Sequence, residues 1–511
     1  MRKEYLKKID TLELPVFREH VSAISFGHPM PDAENWFGYR FQNLPDPQFL
    51  LMGNRCYLDF GNHYTGYLSF RMEKVERYPD APTRVMIRFA ENLRELEYDY
   101  DKYDGALSPI WLQQAVVDID EPGIIRLPRR YSFRYLFLEV LNSRKPLRFT
   151  DFTVEAVTPA DTTKLKPFQC EDPQLLKMDA VGAHTLRECM QGVFEDGPKR
   201  DRRLWIGDLR LQALTNYVTF DNRELVKKCM YLFACYSHPG ERTDRFVYDY
   251  KDGTQGSDSY FADYSLMFPI CQWDYYEHTG DKQFAEELFE IACEQMDIAL
   301  ENVTDGLLNP IEEWWCFIDW RRGLQKRTAM QGVLLYALEK TENLCRALGQ
   351  LEKAEQYAAH AKHMRQTANN KLYDPKKGLF VNGFDENQLS VHSQVWMILG
   401  GVVSLEESQD ILKKILSGRK MIQPVTPYMH HYFVEALLKA EMKEEALAYM
   451  RDYWGGMVEK GADTYWEVYV PSDREISPYD SFVMNSGCHA WSCSISYFLR
   501  KYYQCEEKEG V

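Results

Sequence analysis

The period of the apolar residues changes near residue 160, and this limits the folds open to the chain. Up to about residue 165, apolar and polar residues alternate in short runs broken by Gly, Pro and Asn, as at 56–62, 65–72, 83–90, 123–128 and 135–141. A period of two places every second side chain on a core, so several such runs in succession predict antiparallel strands in a β-sandwich. PADTTKLKP at 159–167 has the composition of a linker. Beyond it, apolar residues recur at helical spacing. The pattern predicts about twelve helices, near 173–190, 209–220, 222–236, 259–279, 281–301, 326–348, 351–373, 389–402, 405–417, 426–440, 443–458 and 485–502. Twelve helices with short connections make six hairpins. Closing six pairs into a toroid buries their apolar faces without free edges. A helical solenoid competes, but no fixed sequence period supports one. The expectation is a β-sandwich domain over 1–165 and a helical toroid over 166–511, with the loops of one rim carrying the chemistry.

At 511 residues the chain exceeds a single core, which agrees with two domains. A net charge of −16 without a Lys/Arg-rich run argues against nucleic acid or an anionic membrane as partner. The first twenty residues lack the apolar core of a secretion signal and no run reaches the length of a membrane span, so the chain reads as cytoplasmic. Twelve cysteines without a CxxC pair predict free, buried thiols. His360 and His363 lie on an Ala/Lys-rich helix and read as a solvated face. His430-His431 has no matching acid at ligand spacing, and HExxH, GxSxG, P-loop and dinucleotide fingerprints are absent. Serine hydrolysis, phosphoryl transfer and hydride transfer thereby lose their usual supports. Neither a metal nor another cofactor is expected.

Four clusters concentrate acids with aromatic residues, the raw material of a sugar-cleaving pocket: carboxylates hold hydroxyls and move protons, and aromatic faces cover the apolar side of a ring. The densest is Asp196-Gly-Pro-Lys-Arg200-Asp201-Arg-Arg-Leu-Trp205-Ile-Gly-Asp208. A helix is expected to begin near Asp208, so capping and chemistry are both open to that residue. The second cluster runs from Asp258 through Asp263 and Tyr264. The third comprises Glu312, Glu313, Trp314, Trp315, Asp319 and Trp320. The fourth is Gly461-Ala-Asp463-Thr-Tyr465-Trp466-Glu467, followed by His489 and Trp491. Glu467 sits among aromatics, where desolvation is expected to raise its pKa toward that of a working base. The four clusters are expected to converge on one pocket.

The stretch from Asp196-Gly-Pro-Lys-Arg-Asp201 through Trp205-Ile-Gly-Asp208 resembles the Asp-Cys-Pro-x-Arg…Trp-x-Gly-Asp signature of the α-L-rhamnosidases of glycoside hydrolase family 78. Asp263 ahead of Pro269, Asp319-Trp320, Gly461-Ala-Asp-Thr-Tyr-Trp466-Glu467, and Leu58-Asp-Phe-Gly61 with Gly66-Tyr-Leu68 are similar to further motifs of that family, in the same order. The resemblance implies an antiparallel β-sandwich followed by an all-α (α/α)6 barrel, and hydrolysis of terminal α-L-rhamnose from small glycosides or oligosaccharides with inversion. It puts the general acid at Asp201 and the general base at Glu467. Asp196, Asp208 and Asp263 would hold rhamnose hydroxyls, with Arg200, Asp319 and His489 as further contacts, and Trp205, Trp315, Trp320 and Trp466 as walls. Two positions depart from the family pattern: Asp201 replaces the Glu of large members, and Gly197 replaces Cys. Another (α/α)6 hydrolase, such as an unsaturated uronyl hydrolase, and a rhamnose-binding protein without catalysis are the alternatives. The sequence leaves room for a homodimer.

Overall fold

The computed structural model describes residues 1–46, 50–75, 81–250, 253–309, 315–383 and 388–505. The chain forms two compact units: Pro15–Arg202 with Gly455–Cys493, and Met1–Leu14 with Arg203–Trp454 and Ser494–Val511.

The first unit carries nine antiparallel strands: β1 (Phe17–Ser22), β2 (Ser25–Pro31), β3 (Tyr39–Leu44), β4 (Arg55–Lys74), β5 (Thr83–Ala90), β6 (Gln114–Ile119), β7 (Gly123–Arg126), β8 (Tyr131–Val140) and β9 (Leu147–Thr158). They pair in the order β1-β9-β4-β8-β5-β6, with β2 and β7 also on β4 and β3 on β2. The runs at 56–62 and 65–72, which read as two strands, are one. Gly61 (φ 81°) takes the left-handed region and donates its N–H to the Asp59 carboxylate, and the register against β8 shifts between Asp59 and Tyr64. The Gly-Asn signal thus marks a bulge inside β4, where the sequence suggested a break. Alternate residues of β4, β5, β8 and β9, among them Leu58, Leu68, Phe70, Phe89, Phe133 and Val154, make one core.

Fifteen helices are described: α1 (Glu4–Ile9), α2 (Leu93–Glu97), α3 (Pro173–Cys189), α4 (Ile206–Val218), α5 (Arg223–Tyr236), α6 (Ala262–Thr279), α7 (Lys282–Leu300) and α8 (Arg327–Ala347), then α9 (Leu351–Leu372), α10 (Val391–Leu399), α11 (Leu405–Leu416), α12 (Pro427–Lys439), α13 (Lys443–Met450), α14 (Gly456–Glu459) and α15 (Ile495–Tyr502). In the helical unit alternate members pack in succession: α4 on α6, α6 on α8, α8 on α10, α10 on α12, and α15 back on α4. The sequence separates the two roles. α6 and α10 are apolar almost all round and buried along most of their length, as a helix enclosed by neighbours must be, whereas α9 and α11 bury a single stripe.

Two predicted helices are shorter than their patterns. The run at 485–502 is helical only in α15, because backbone N–H groups ahead of it go to tertiary acceptors: Ser486 N–H to Glu467 and Gly487 N–H to Glu91. The run at 443–458 divides at a π-turn, Arg451–Gly455, beside the Gly455-Gly456 pair. Helix α4 begins at Ile206 with Trp205 in the capping position, so Asp208 lies in the first turn and is not the N-cap.

A buried polar network ties the helices that pack in succession. Arg210 on α4 donates to Asp274 on α6 (3.0 Å), to Tyr336 on α8 (2.7 Å) and to both oxygens of Glu435 on α12 (3.0 and 3.2 Å). Removing the cation takes the main partner from both carboxylates, leaving Asp274 with Lys340 at 3.7 Å and Glu435 with His431 at 3.5 Å. Arg210→Met should therefore lower stability by roughly 3–5 kcal/mol, read as a shift in the urea midpoint; a shift under 1 kcal/mol would show that the network is dispensable.

Candidate active site

In the sheet-bearing unit the segment after α3 makes a tight loop. Met190 bridges Phe194, and the Glu195 N–H returns to the Cys189 carbonyl. Three consecutive residues then have three different fates. Lys199 is buried, its ammonium 2.6 Å from Glu95 and 3.3 Å from Glu91, and it also donates to the carbonyls of Val483 and Asn485. Arg200, with a side chain 2% exposed, donates through Nη2 to both oxygens of Glu467 (2.6 and 2.7 Å) and through Nε to the Met484 carbonyl (3.0 Å). Asp201, 17% exposed, lies 3.2 Å from Nη1 of the same guanidinium. Asp201 (φ 65°) and Arg202 (φ 52°) both adopt the left-handed region, which is costly for residues with a side chain and tends to gather at functional sites.

The Glu467 side chain is 1% exposed. Besides Arg200, its Oε1 accepts from the Tyr479 hydroxyl and its Oε2 from the Ser486 N–H (2.8 Å). The expected rise in its pKa is not what the structure gives. Burial does push the carboxyl up, but the Arg200 charge, His489 and the hydrogen bonds from Arg200 and Tyr479 outweigh it and bring it down to about 2. The aromatic neighbours visible in the sequence supply the desolvation. The deciding cation comes from 267 positions away.

His489 is buried, and its ring lies 4.3 Å from that of Trp491. The next residue, Ala490, donates its N–H to the carbonyl of Asp196, which is itself buried. Gly197 explains why the loop sits so close: a Cβ there would come within 2.9 Å of Ser486 Oγ and 3.3 Å of both the Cys488 carbonyl and His489 Nδ1. Trp466 stacks on Trp36 (6.0 Å, 14°) and meets Phe37 edge-on. It also lines a cavity of about 350 Å³ with Tyr39, Phe41, Tyr135, Arg134 and Asp463. The floor of that cavity is internally satisfied, Arg134 being held by Asp59 (2.9 and 3.0 Å) and Asp463 (3.2 Å).

The helical unit holds the remaining candidates. Trp205 ends β10 (Arg203–Trp205), the edge of a small sheet with β11 (Phe246–Tyr250) and β12 (Gly253–Gly256), and its ring packs on Phe246 (4.5 Å). Asp208 is buried in the first turn of α4, where the helix dipole favours an acid. Asp263 accepts the N–H groups of Phe317 and Ile318, both at 2.8 Å, and burial raises its pKa against those bonds. Asp319 is occupied to a similar degree: it accepts from the Val425 and Thr426 N–H groups and the Thr426 hydroxyl, and His392 Nε2 lies 2.7 Å away. These two acids therefore hold loops and helix starts. Trp320 meets Phe317 edge-on at 5.1 Å, and Trp315, 57% exposed, lies 4.5 Å from Phe261. Glu312, Glu313 and Trp314 of the third cluster lie outside the described residues.

Sequence reasoning missed Lys199, Glu91, Glu95 and Tyr479. Lys199 could have been noticed as a cation inside the acid-rich motif, but nothing local pointed to its partners. Among the described residues no group of three or more His, Cys, Asp or Glu could hold a metal ion, and no helix is long and apolar enough to cross a membrane.

A family model described as the bacterial α-L-rhamnosidase 6 hairpin glycosidase domain matches residues 163–503, and one described as the glycosyl hydrolase family 78 α-rhamnosidase N-terminal domain matches residues 31–156. No curated protein matches the sequence. Among solved structures, a rhamnosidase from Klebsiella oxytoca with rhamnose bound is 38% identical, with a TM-score of 0.95 over 98% of this chain and 99% of that one. The family 78 rhamnosidase of Bacillus sp. GL1 is 25% identical, with a TM-score of 0.75 over 92% of this chain and 50% of the other. The Streptomyces avermitilis α-L-rhamnosidase complexed with L-rhamnose, at 17% identity and a TM-score of 0.69 over 96% of this chain and 44% of that one, is alike in fold. Two family models that together span most of the sequence, and a 38% identical rhamnosidase matched along its whole length, make this chain a member of the glycoside hydrolase family 78 α-L-rhamnosidases.

Proposed function

We propose that the protein hydrolyses terminal α-L-rhamnose from small glycosides with inversion, Asp201 acting as general acid and Glu467 as general base. The observation that carries this reading is the Arg200 guanidinium, which touches both carboxylates. The two oxygens that it bridges lie no more than roughly 8 Å apart, close enough for both carboxyls to face one glycosidic bond. Arg200 is also asymmetric: its shorter contacts go to Glu467 (2.6 and 2.7 Å) and the longer one to Asp201 (3.2 Å). Glu467, the carboxyl bound more tightly, is held below its usual range by that cation, as a base must be. The more exposed one is left to reach a glycosidic oxygen.

In this scheme the Asp201 carboxyl gives its proton to the leaving oxygen while Glu467 takes one from a water attacking C1, so the first product is β-rhamnose. Asp196, Arg200, Trp205, Asp208, Trp320 and His489 are the proposed rhamnose contacts. Trp315 and Trp466 are proposed as aromatic walls. Asp263 and Asp319 support their loops. The same reading divides the chain into a β-sandwich over 1–165 and an (α/α)6 barrel over 166–511, a barrel supported by the succession α4, α6, α8, α10, α12 and α15. The bound rhamnose of the Klebsiella protein supports the sugar assignment.

Proton NMR of the first-formed sugar should show β-rhamnose from an α-linked substrate; α-rhamnose would rule out inversion. Glu467→Gln should abolish turnover while keeping rhamnose binding. Asp201→Asn should retain far more activity on an aryl rhamnoside with an acidic phenol than on an alkyl rhamnoside, because a general acid matters most for a poor leaving group. Equal losses on both would make Asp201 a substrate-holding residue.

The ionisation of Glu467 can be tested separately. Its folded pKa of about 2 lies below the ordinary 4.5, so the unfolded chain binds a proton there first as the pH falls. This contribution to stability is complete above about pH 4.5 and is lost on acidification toward pH 2, amounting to about 3 kcal/mol. Glu467→Gln, which cannot titrate, should lack that part of the acid loss in unfolding curves recorded across the window. An unchanged slope would refute the depressed ionisation.

A further inference from the structure

Tyr479 belongs to none of the acid/aromatic motifs, yet its hydroxyl donates to Glu467 Oε1 and its ring lies under the Arg200 guanidinium, 4.4 Å from ring centre to cation. Its backbone is pinned on both sides: the N–H donates to Ser477 Oγ (3.1 Å) and the carbonyl accepts the Ala106 N–H (2.9 Å). Ser477 is itself fixed, donating to the Ser481 carbonyl and the Asn485 side chain. The phenol thus reaches the carboxylate from an anchored segment.

The way Arg200 holds Glu467 explains why another donor matters. Both oxygens are bound through the single nitrogen Nη2, not through the two parallel bonds of a guanidinium fork. A single nitrogen between two oxygens leaves the carboxylate free to tilt about it. The Ser486 N–H fixes Oε2, and the Tyr479 hydroxyl fixes Oε1. Together these contacts occupy about four acceptor positions, the full capacity of a carboxylate. A water that hands its proton to Glu467 must share one of those positions; the phenol is the uncharged side chain among the donors, and its oxygen accepts from Arg200 Nη2 (3.0 Å) while its proton goes to Oε1, so it links the cation to the carboxylate.

We propose that Tyr479 is a positioning residue of the hydrolysis: its hydroxyl holds Oε1 of Glu467 in the orientation from which that carboxylate takes a proton from the attacking water. The proposal rests on the assignment of Glu467 as the base. It does not require Tyr479 to touch the sugar.

The test is a double-mutant cycle on an aryl rhamnoside. Tyr479→Phe keeps the ring under Arg200 and should leave the protein folded, with a modestly lowered thermal midpoint and an unchanged calorimetric rhamnose affinity. It should lower kcat by roughly ten- to a hundredfold with KM within about twofold. In a Glu467→Asp background, whose slower turnover can still be measured and whose shortened carboxylate no longer meets the phenol, the same change should cost nothing further. An unchanged or higher kcat in Tyr479→Phe would overturn the proposal, and so would an equal loss in both backgrounds or a loss appearing only in KM. Glu467→Gln by itself distinguishes the two readings: full turnover in that variant would remove the base assignment and the proposal with it, whereas an inactive Glu467→Gln beside a fully active Tyr479→Phe would remove the proposal alone. If Tyr479→Phe does not fold, Ser477→Ala, which removes the acceptor for the Tyr479 N–H, carries the same test with a smaller expected fall in kcat.

Discussion

A guanidinium buried without water is tolerable only if its charge is met, and Arg200 is met by Glu467. Removing Arg200 would leave the buried Glu467 carboxylate without its cation, which costs several kcal/mol. The pair is therefore fixed as a unit, and the loop that carries Arg200 must lie where Glu467 is. Lys199 secures the same loop a second time by placing its ammonium between Glu91 and Glu95. The backbone that follows these two anchored residues takes the left-handed region at Asp201 and Arg202. That strain turns Asp201 out of the salt-bridged interior while leaving it within reach of Arg200. Gly197 belongs to the same arrangement, because a side chain there would press on the Ser486–His489 segment that helps to hold Glu467.

The burial of Lys199 also sets neighbouring carboxyls apart. Burial pushes Glu95 up to about 7 despite the ammonium beside it, while Glu91, with Lys199, His63 and the Gly487 N–H around it, is held below its ordinary value. A single cation cannot fully stabilise two adjacent buried anions, so the one that also faces His63 keeps its charge. The same competition governs Glu467, and there the donors win.

How much of this was legible in the sequence depends on how local each determinant is. The change from period two to period 3.6 marked the sheet-rich region and the helices, because each residue's partners in a strand or helix turn are set by nearby spacing. It failed at 485–502, where apolar spacing continues but Ser486 and Gly487 give their N–H groups to distant carboxylates. It failed again at β4, where Gly61 bends one strand and does not end it. For the site, the acid and aromatic positions stood out from local density, and the order of the motifs gave the family. The sign of the Glu467 shift did not. Aromatic neighbours in sequence argue for desolvation, and only the fold brings Arg200 to the carboxylate. Tyr479 was hidden for a simpler reason: one tyrosine in an otherwise ordinary loop carries no local signal.

Acid-rich, Trp-rich segments point to a candidate site but are a poor guide to which acid does what. Asp263 and Asp319 lie in clusters as dense as that around Asp201, yet the backbone and side-chain groups around them engage both of their oxygens. The difference lies in the donors. A carboxylate that collects N–H groups from a following loop or a helix start organises that loop, and Asp319 does so for the first residues of α12 through Thr426, the N-cap of that helix. A carboxylate whose main partner is a shared cation keeps an orientation and a charge that a reaction can use. By that criterion Glu467 and Asp201 are the pair proposed for the chemistry, and Asp263 and Asp319 fix where Phe317 and Trp320 stand, so a substitution at either acid should disturb the aromatic residues before it disturbs any proton transfer.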